Sequence, residues 1–251
     1  MFPAPSPPPQ DPQTGPPRAT LAPRIVALLE VFLCSGFPTQ LALAATLTSV
    51  GYRAYGPDGR LQIGFVVGLS LLDAVLLIGL ILFFLRAQGE RPRDVLLGPR
   101  PVRGEVAYGV PLAFVALAAG IGLLLAIQYL APSLRSVPLN PLEALLSRPR
   151  DAWLFAVVVL VAGGVREEIQ RAFLLHRFEI WLGGSRVGVA VTSVVFGAGH
   201  LIQGHDAAIV TGVLGAMWAV LYLRRRSVVA PIVSHAGFNL LQILQFVVTR
   251  R

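Results

Sequence analysis

The chain contains no lysine; all 21 of its basic residues are arginine. We read that absence as a compositional habit of the source genome, without mechanistic content. It has one cysteine, Cys34, inside an apolar run, which excludes an intramolecular disulfide and a cysteine-based metal site. Charge is scarce as well. Only 14% of the 251 residues are charged, 55% are hydrophobic, and the mean hydropathy is +0.69. A soluble domain of this length needs far more polar surface, so the excess apolar residues must face lipid. The net charge of +8 would suit nucleic acid in a soluble protein. Here the arginines read as topology determinants and headgroup contacts, so the expected partner is the bilayer and not nucleic acid.

What is present is a series of apolar runs. Seven segments, about 25–47, 61–86, 106–130, 152–180, 187–204, 206–223 and 228–248, approach the roughly 20 residues that span a bilayer as a helix. The expected fold is all-α, a polytopic transmembrane bundle of about seven (six to eight) spans, the first interrupted by Pro38. Residues 1–24 form a proline-rich, polar tail too poor in apolar area to offset its ordering entropy. Residues 25–150 form the N-terminal membrane helices, and 151–248 carry the site described below. Two polar connections, 86–105 and 132–151, each read as holding a short amphipathic piece at the interface. Arginine counts favour a cytoplasmic N-terminus in the cell (inner) membrane, with "RRR" at 224–226 as the sharpest marker.

Inside the apolar runs a few ionisable side chains remain: Asp73, Glu167, Glu168, Arg171, His200 and His235. Ionisable groups at membrane depth face the bundle interior and mark functional sites. Asp73 stands alone in its span, where a structural hydrogen bond and a role in the site have equal claims. The others form a pattern. Glu167 and Arg171 are four apart and share a helix face, so they can pair directly. "FGAGH" sets His200 four after Phe196, and "HAGFN" sets His235 four before Asn239. Counted from the ends where the fourth and fifth spans join, and the sixth and seventh, all three motifs reach roughly 12–21 Å into the bilayer. Asp206 reads as the N-cap of the sixth span, and His176 and His205 as interfacial.

The available chemistry is narrow. Neither a serine–histidine–aspartate arrangement nor a cysteine nucleophile is offered at these positions. A glutamate can take a proton from water, a histidine can orient that water or serve the leaving group, and Asn239 can donate to an oxyanion. Two histidines and a glutamate, His200, His235 and Glu167, are also a familiar catalytic zinc set, so a zinc site and a metal-free site both stay open. Either route hydrolyses an amide or ester bond.

At these residues the sequence resembles the CAAX prenyl protease and bacteriocin-processing (Abi) family of intramembrane proteases, whose pattern is EExxxR, FxxxH and Hxxx(N/D) on separate membrane helices. "FGAGH" (196–200) and "HAGFN" (235–239) match fully, and the resemblance covers about residues 150–245. It implies an endopeptidase, of metalloprotease or glutamate type, that opens to the cytosolic side and cuts a membrane-associated protein or peptide. Its site residues would be Glu167, Glu168, His200, His235 and Asn239, supported by Arg171 and Phe196. The first motif, "REEIQR", departs from the pattern. Anchored on "RAFL" (171–174), Arg166 occupies the first glutamate position. Anchored on the glutamate pair, Arg171 comes one residue early, and Glu168 can still pair with it at i,i+3. Glu167 as base with Glu168 and Arg171 as the supporting pair is the favoured assignment; the reverse is credible. Arg166 then reads as a counter-ion that makes a double glutamate tolerable. The departure keeps a second reading alive, a non-catalytic scaffold or immunity-type protein that binds a peptide in the same cavity.

Overall fold

The computed structural model describes residues 21–137, 145 and 149–249. The tail through residue 20 and most of the second long connection therefore lie outside the described residues. Among the described residues the chain is helical, with one isolated antiparallel bridge, Tyr55 to Leu61, in a loop. The helices are α1 (Leu21–Leu33), α2 (Phe37–Ser49), α3 (Ile63–Ala87), α4 (Pro92–Leu96) and α5 (Val102–Leu130), then α6 (Pro149–Val158) and α7 (Glu167–Trp181). They are followed by α8 (Ser185–Ala198), α9 (His205–Arg225) and α10 (Val229–Thr249). A π-helical segment, Val159–Arg166, joins α6 to α7.

Several expectations are corrected. α1 begins at Leu21, so the last four residues of the expected tail are helical. The break in the first apolar run precedes Pro38: it falls at Gly36, whose φ of 88° suits glycine, and Pro38 sits in the first turn of α2, where it costs no hydrogen bond. The count of about seven spans is not reproduced by length and composition. Among the described residues four helices, α3, α5, α9 and α10, are long and apolar enough to cross a membrane, and the bent pair α1–α2 makes a fifth if it is one span. The fourth run is divided and charged, and α8 has only 14 residues. Of the two connections expected to hold a short interfacial piece, the first contains the five-residue helix α4; the second falls largely outside the described residues.

The distribution of side chains is that of a protein in lipid. Val75, Phe83, Phe114, Leu125 and Val194 point outward, while Asp73, Glu105, Arg166, Glu168, Arg171 and Arg177 are buried. This is a multi-pass membrane protein. Tyr129 at the end of α5 and Trp153 near the start of α6 are exposed, as aromatic residues are at a membrane interface.

The two ends of the bundle differ. One is sealed by polar pairs. Arg177 bonds to Glu30 and Glu90, His176 meets Glu90 at 2.8 Å, and Gln88 donates to Glu30 at 2.9 Å. Arg225 pairs with Glu105, Arg226 grips Glu179 with two bonds of 2.6 and 2.7 Å, and the Val228 amide donates to the Leu96 carbonyl at 2.8 Å. At the other end Gln128 donates to Asp206 at 2.9 Å, tying the end of α5 to the start of α9. The Arg225–Glu105 and Gln128–Asp206 pairs fix α5 and α9 as antiparallel neighbours.

Candidate active site

The π segment brings the first motif into place. Its wide turn ends where the glutamate pair begins, and single-turn π insertions recur at functional sites. Its two glycines let α10 come close. A Cβ at Gly164 would lie 2.7 Å from that of Ala236, and one at Gly163 would lie 2.7 Å from Nδ2 of Asn239. The "GG" before "VREE" is therefore the floor on which the third motif rests.

The two glutamates occupy different surroundings. Glu168 is buried, bonded to Arg171 through Oε1, and the same oxygen is 2.8 Å from Nδ1 of His235. A carboxylate salt-bridged to arginine can only accept, so Nδ1 of His235 is the donor and its Nε2 is left free. That Nε2 lies 3.8 Å from Oε2 of Glu167. Glu167 keeps 20% of its side chain accessible and sits 4.0 Å from the Arg166 guanidinium. The direct Glu167–Arg171 pair expected from the i,i+4 spacing does not form: Arg171 turns to Glu168 at i,i+3. Arg166 does balance charge, but with Asp73 of α3. Asp73 also accepts from Thr39 at 2.5 Å and from Gln40 at 3.4 Å, so its pairing spans α2, α3 and the π segment.

Aromatic rings hold the imidazoles. The His235 ring stacks on Trp218, with centroids 3.8 Å apart and planes 16° from parallel, and Trp218 Nε1 donates to Ser234 at 3.2 Å. Phe196 lies edge-on to His200 at 4.9 Å and to His235 at 6.0 Å, and the Arg171 Cζ sits 4.6 Å over its ring. His200 follows the end of α8, with Nδ1 2.8 Å from the Phe196 carbonyl. A carbonyl only accepts, so Nδ1 again carries the hydrogen and Nε2 is free.

These groups share one cavity of about 890 Å³, which Glu167, Phe196, His200, Trp218, His235 and Asn239 all line. Glu168 and Arg171 stand behind that wall. His176 and His205 are not among the lining residues. Asp206 lines the cavity but does not cap α9, whose N-cap is Gly204; its carboxylate instead accepts from Gln128 and from the Ala207 amide at 2.9 Å. Among the described residues no three His, Cys, Asp or Glu side chains are arranged to hold a metal ion. His200, His235 and Glu167 thus share a cavity without converging as ligands.

Sequence reasoning missed Trp218, Asn239's glycine floor and the Asp73–Arg166 link. A signal existed for the first: Trp218 lies in the middle of an apolar helix, away from the interfacial levels where membrane tryptophans gather.

No curated protein and no solved structure matches the chain. Residues 149–241, from the first turn of α6 to the middle of α10, match a family model described as type II CAAX prenyl endopeptidase Rce1-like, a match that takes in all three motifs and supports membership of the CAAX prenyl protease family.

Proposed function

We propose that the chain is an intramembrane endopeptidase that hydrolyses a peptide bond of a membrane-associated polypeptide with water activated by Glu167. The observation that carries this reading is the asymmetry of the glutamate pair. Glu168 is committed to Arg171 and His235, whereas Glu167 faces the cavity 3.8 Å from the free nitrogen of His235. That gap is too long for a direct hydrogen bond and suits a water bridging the two groups.

In this mechanism Glu167 takes one proton of the water while Nε2 of His235 accepts a hydrogen bond from the other. The hydroxide adds to the scissile carbonyl, and the oxygen that gains charge receives a hydrogen bond from the Asn239 amide. Collapse breaks the C–N bond, and the proton held by Glu167 passes to the departing nitrogen. His200 offers a second acceptor that limits the water's orientations. Glu168 and Arg171, behind the cavity wall, and Trp218 and Phe196, on it, are positioning residues: they fix the tautomer and tilt of His235. The geometry favours the register anchored on the glutamate pair, with Glu167 as the family's first glutamate and Glu168 paired one residue early.

The test is cleavage of a membrane-peptide library by purified protein in micelles. Glu167→Gln, His200→Ala and His235→Ala are expected to abolish fragments while the protein stays folded and inserted. Wild-type turnover in all three would sink the mechanism. Stable peptide complexes without fragments in the unmutated protein would support the binding-protein reading instead.

A further inference from the structure

The described lining of the cavity runs from Glu167 towards one end of the bundle, and the described arginines gather at the other. Its lining includes Gln128 at the end of α5, Arg135 and Val137 just beyond it, and Gln203 and Asp206 around the start of α9. On α10 the lining runs from His235 outward to Thr249, and on α9 from Trp218 back to Asp206. Every rim residue therefore belongs to the end marked by the Gln128–Asp206 bond. The opposite end is closed by the Arg177–Glu30–Glu90 and Arg225–Glu105 pairs.

The sealed end carries the arginine excess. The α3–α5 connection and its flanks hold Arg86, Arg91, Arg93, Arg100 and Arg103, all exposed, and the α9–α10 turn holds Arg224–Arg226. At the open end the described connections hold Arg53, Arg60 and Arg135, and the first turn of α6 holds Arg150. Short loops rich in arginine stay on the cytosolic side. Leu21 begins α1 towards that same sealed end, since Glu30 is bonded there to Gln88 and Arg177 and the chain then runs inward, past Arg166 at Gly36 to Asp73 at Thr39. A cytosolic N-terminus and a cytosolic opening of the site are therefore incompatible in this fold, although the sequence suggested both.

We propose that the cavity opens on the non-cytosolic face of the membrane. The substrate class is then a polypeptide presented on that face: the exported segment of a membrane protein or a secreted peptide lodged in the outer leaflet. This rests on the endopeptidase reading of the same site and narrows it. The cavity wall fits such a ligand. Leu117, Ile121 and Leu124 on α5 offer an apolar side, and Gln128, Gln242 and Gln245 offer carboxamides that bond to an extended neutral backbone.

The test is single-cysteine labelling in spheroplasts of an expressing bacterium, in a Cys34→Ala background, with a membrane-impermeant maleimide. Arg135→Cys and Gln245→Cys report the cavity mouth; Arg93→Cys and Arg224→Cys report the sealed rim. The expected pattern is labelling of both mouth positions in intact spheroplasts and of both rim positions only after permeabilisation. The reverse pattern overturns the proposal, and so does failure of both mouth positions to react in permeabilised membranes, which would mean that no water-filled opening exists there. Labelling needs no turnover. A reversed pattern therefore leaves the hydrolytic mechanism standing, and loss of the mechanism leaves the labelling pattern unchanged.

Discussion

The pair between Asp73 and Arg166 offers the sharpest test of how the site is held. Both side chains are nearly inaccessible, at 3% and 8%. Replacing Asp73 by Asn preserves shape and leaves a buried guanidinium without its counter-charge, a change that costs about 3–5 kcal/mol in buried pairs. Arg166 has one alternative partner, Glu167, 4.0 Å away. At an effective dielectric constant near 20 that contact is worth about 4 kcal/mol before any desolvation or rotamer cost, so part of the loss returns. The expected result is a destabilisation of about 3 kcal/mol together with a fall in cleavage, because the arginine now engages the carboxylate that must take a proton. The double variant Asp73→Asn/Arg166→Gln removes both charges and should come back to within about 1 kcal/mol of the parent. It should also recover cleavage relative to Asp73→Asn alone. Reversible SDS unfolding in mixed micelles, followed by tryptophan fluorescence, supplies the cycle. If Asp73→Asn lies within about 1 kcal/mol of the parent and cleaves normally, the pair neither braces the π segment nor shields Glu167, and the reasoning fails.

Two further predictions separate structure from chemistry. Glu168→Gln removes the partner of a buried arginine and should destabilise by about 3 kcal/mol or more, whereas Glu167→Gln should stay within about 1 kcal/mol while losing cleavage; the same SDS titration reads both. Gly163→Ala places a methyl against the Asn239 amide and should lower kcat with little change in unfolding. Gly164→Ala presses on Ala236 of α10 and should cost about 1–3 kcal/mol, so the two neighbours differ in which measurement moves.

The three motifs were legible because each sets ionisable or amide side chains at helical spacing inside apolar sequence, where water cannot carry their charge. What was not legible was which neighbour each would choose. Helix spacing made Glu167 the natural partner of Arg171, yet i,i+3 and i,i+4 are both within reach, and the bundle decided between them by turning Glu168 towards His235. Asp73 lies 93 residues from Arg166, so no local pattern could pair them. The span expected over 187–204 is not reproduced by helix length, for a different reason. The 14 residues of α8 rise only about 21 Å, and the run continues through a short 3₁₀ turn, Leu201–Gln203, to Gly204. Hydrophobicity extends through that turn although the helix does not, and His200 sits at the junction.

The arginines reward a closer look, since their number reads at first as a compositional accident. The buried ones each have an acid from another helix or from the preceding turn: Arg166 with Asp73, Arg171 with Glu168, Arg177 with Glu30. Buried guanidinium groups need such partners, because an uncompensated charge in hydrocarbon is among the largest penalties a fold can carry. Assigning these pairs leaves two carboxylates on the cavity wall among the described residues, Glu167 and Asp206. Asp206 is occupied by Gln128 and the Ala207 amide near the rim. Glu167 has only the Arg166 guanidinium at 4.0 Å and the His235 nitrogen at 3.8 Å, both beyond hydrogen-bond length. In the proposed mechanism the proton of the attacking water goes to this carboxylate, left short of partners on the wall of an 890 Å³ cavity beside an imidazole whose tautomer is fixed from behind. That arrangement is the strongest argument for Glu167 over Glu168 as the base, and it comes from where the other charges are spent.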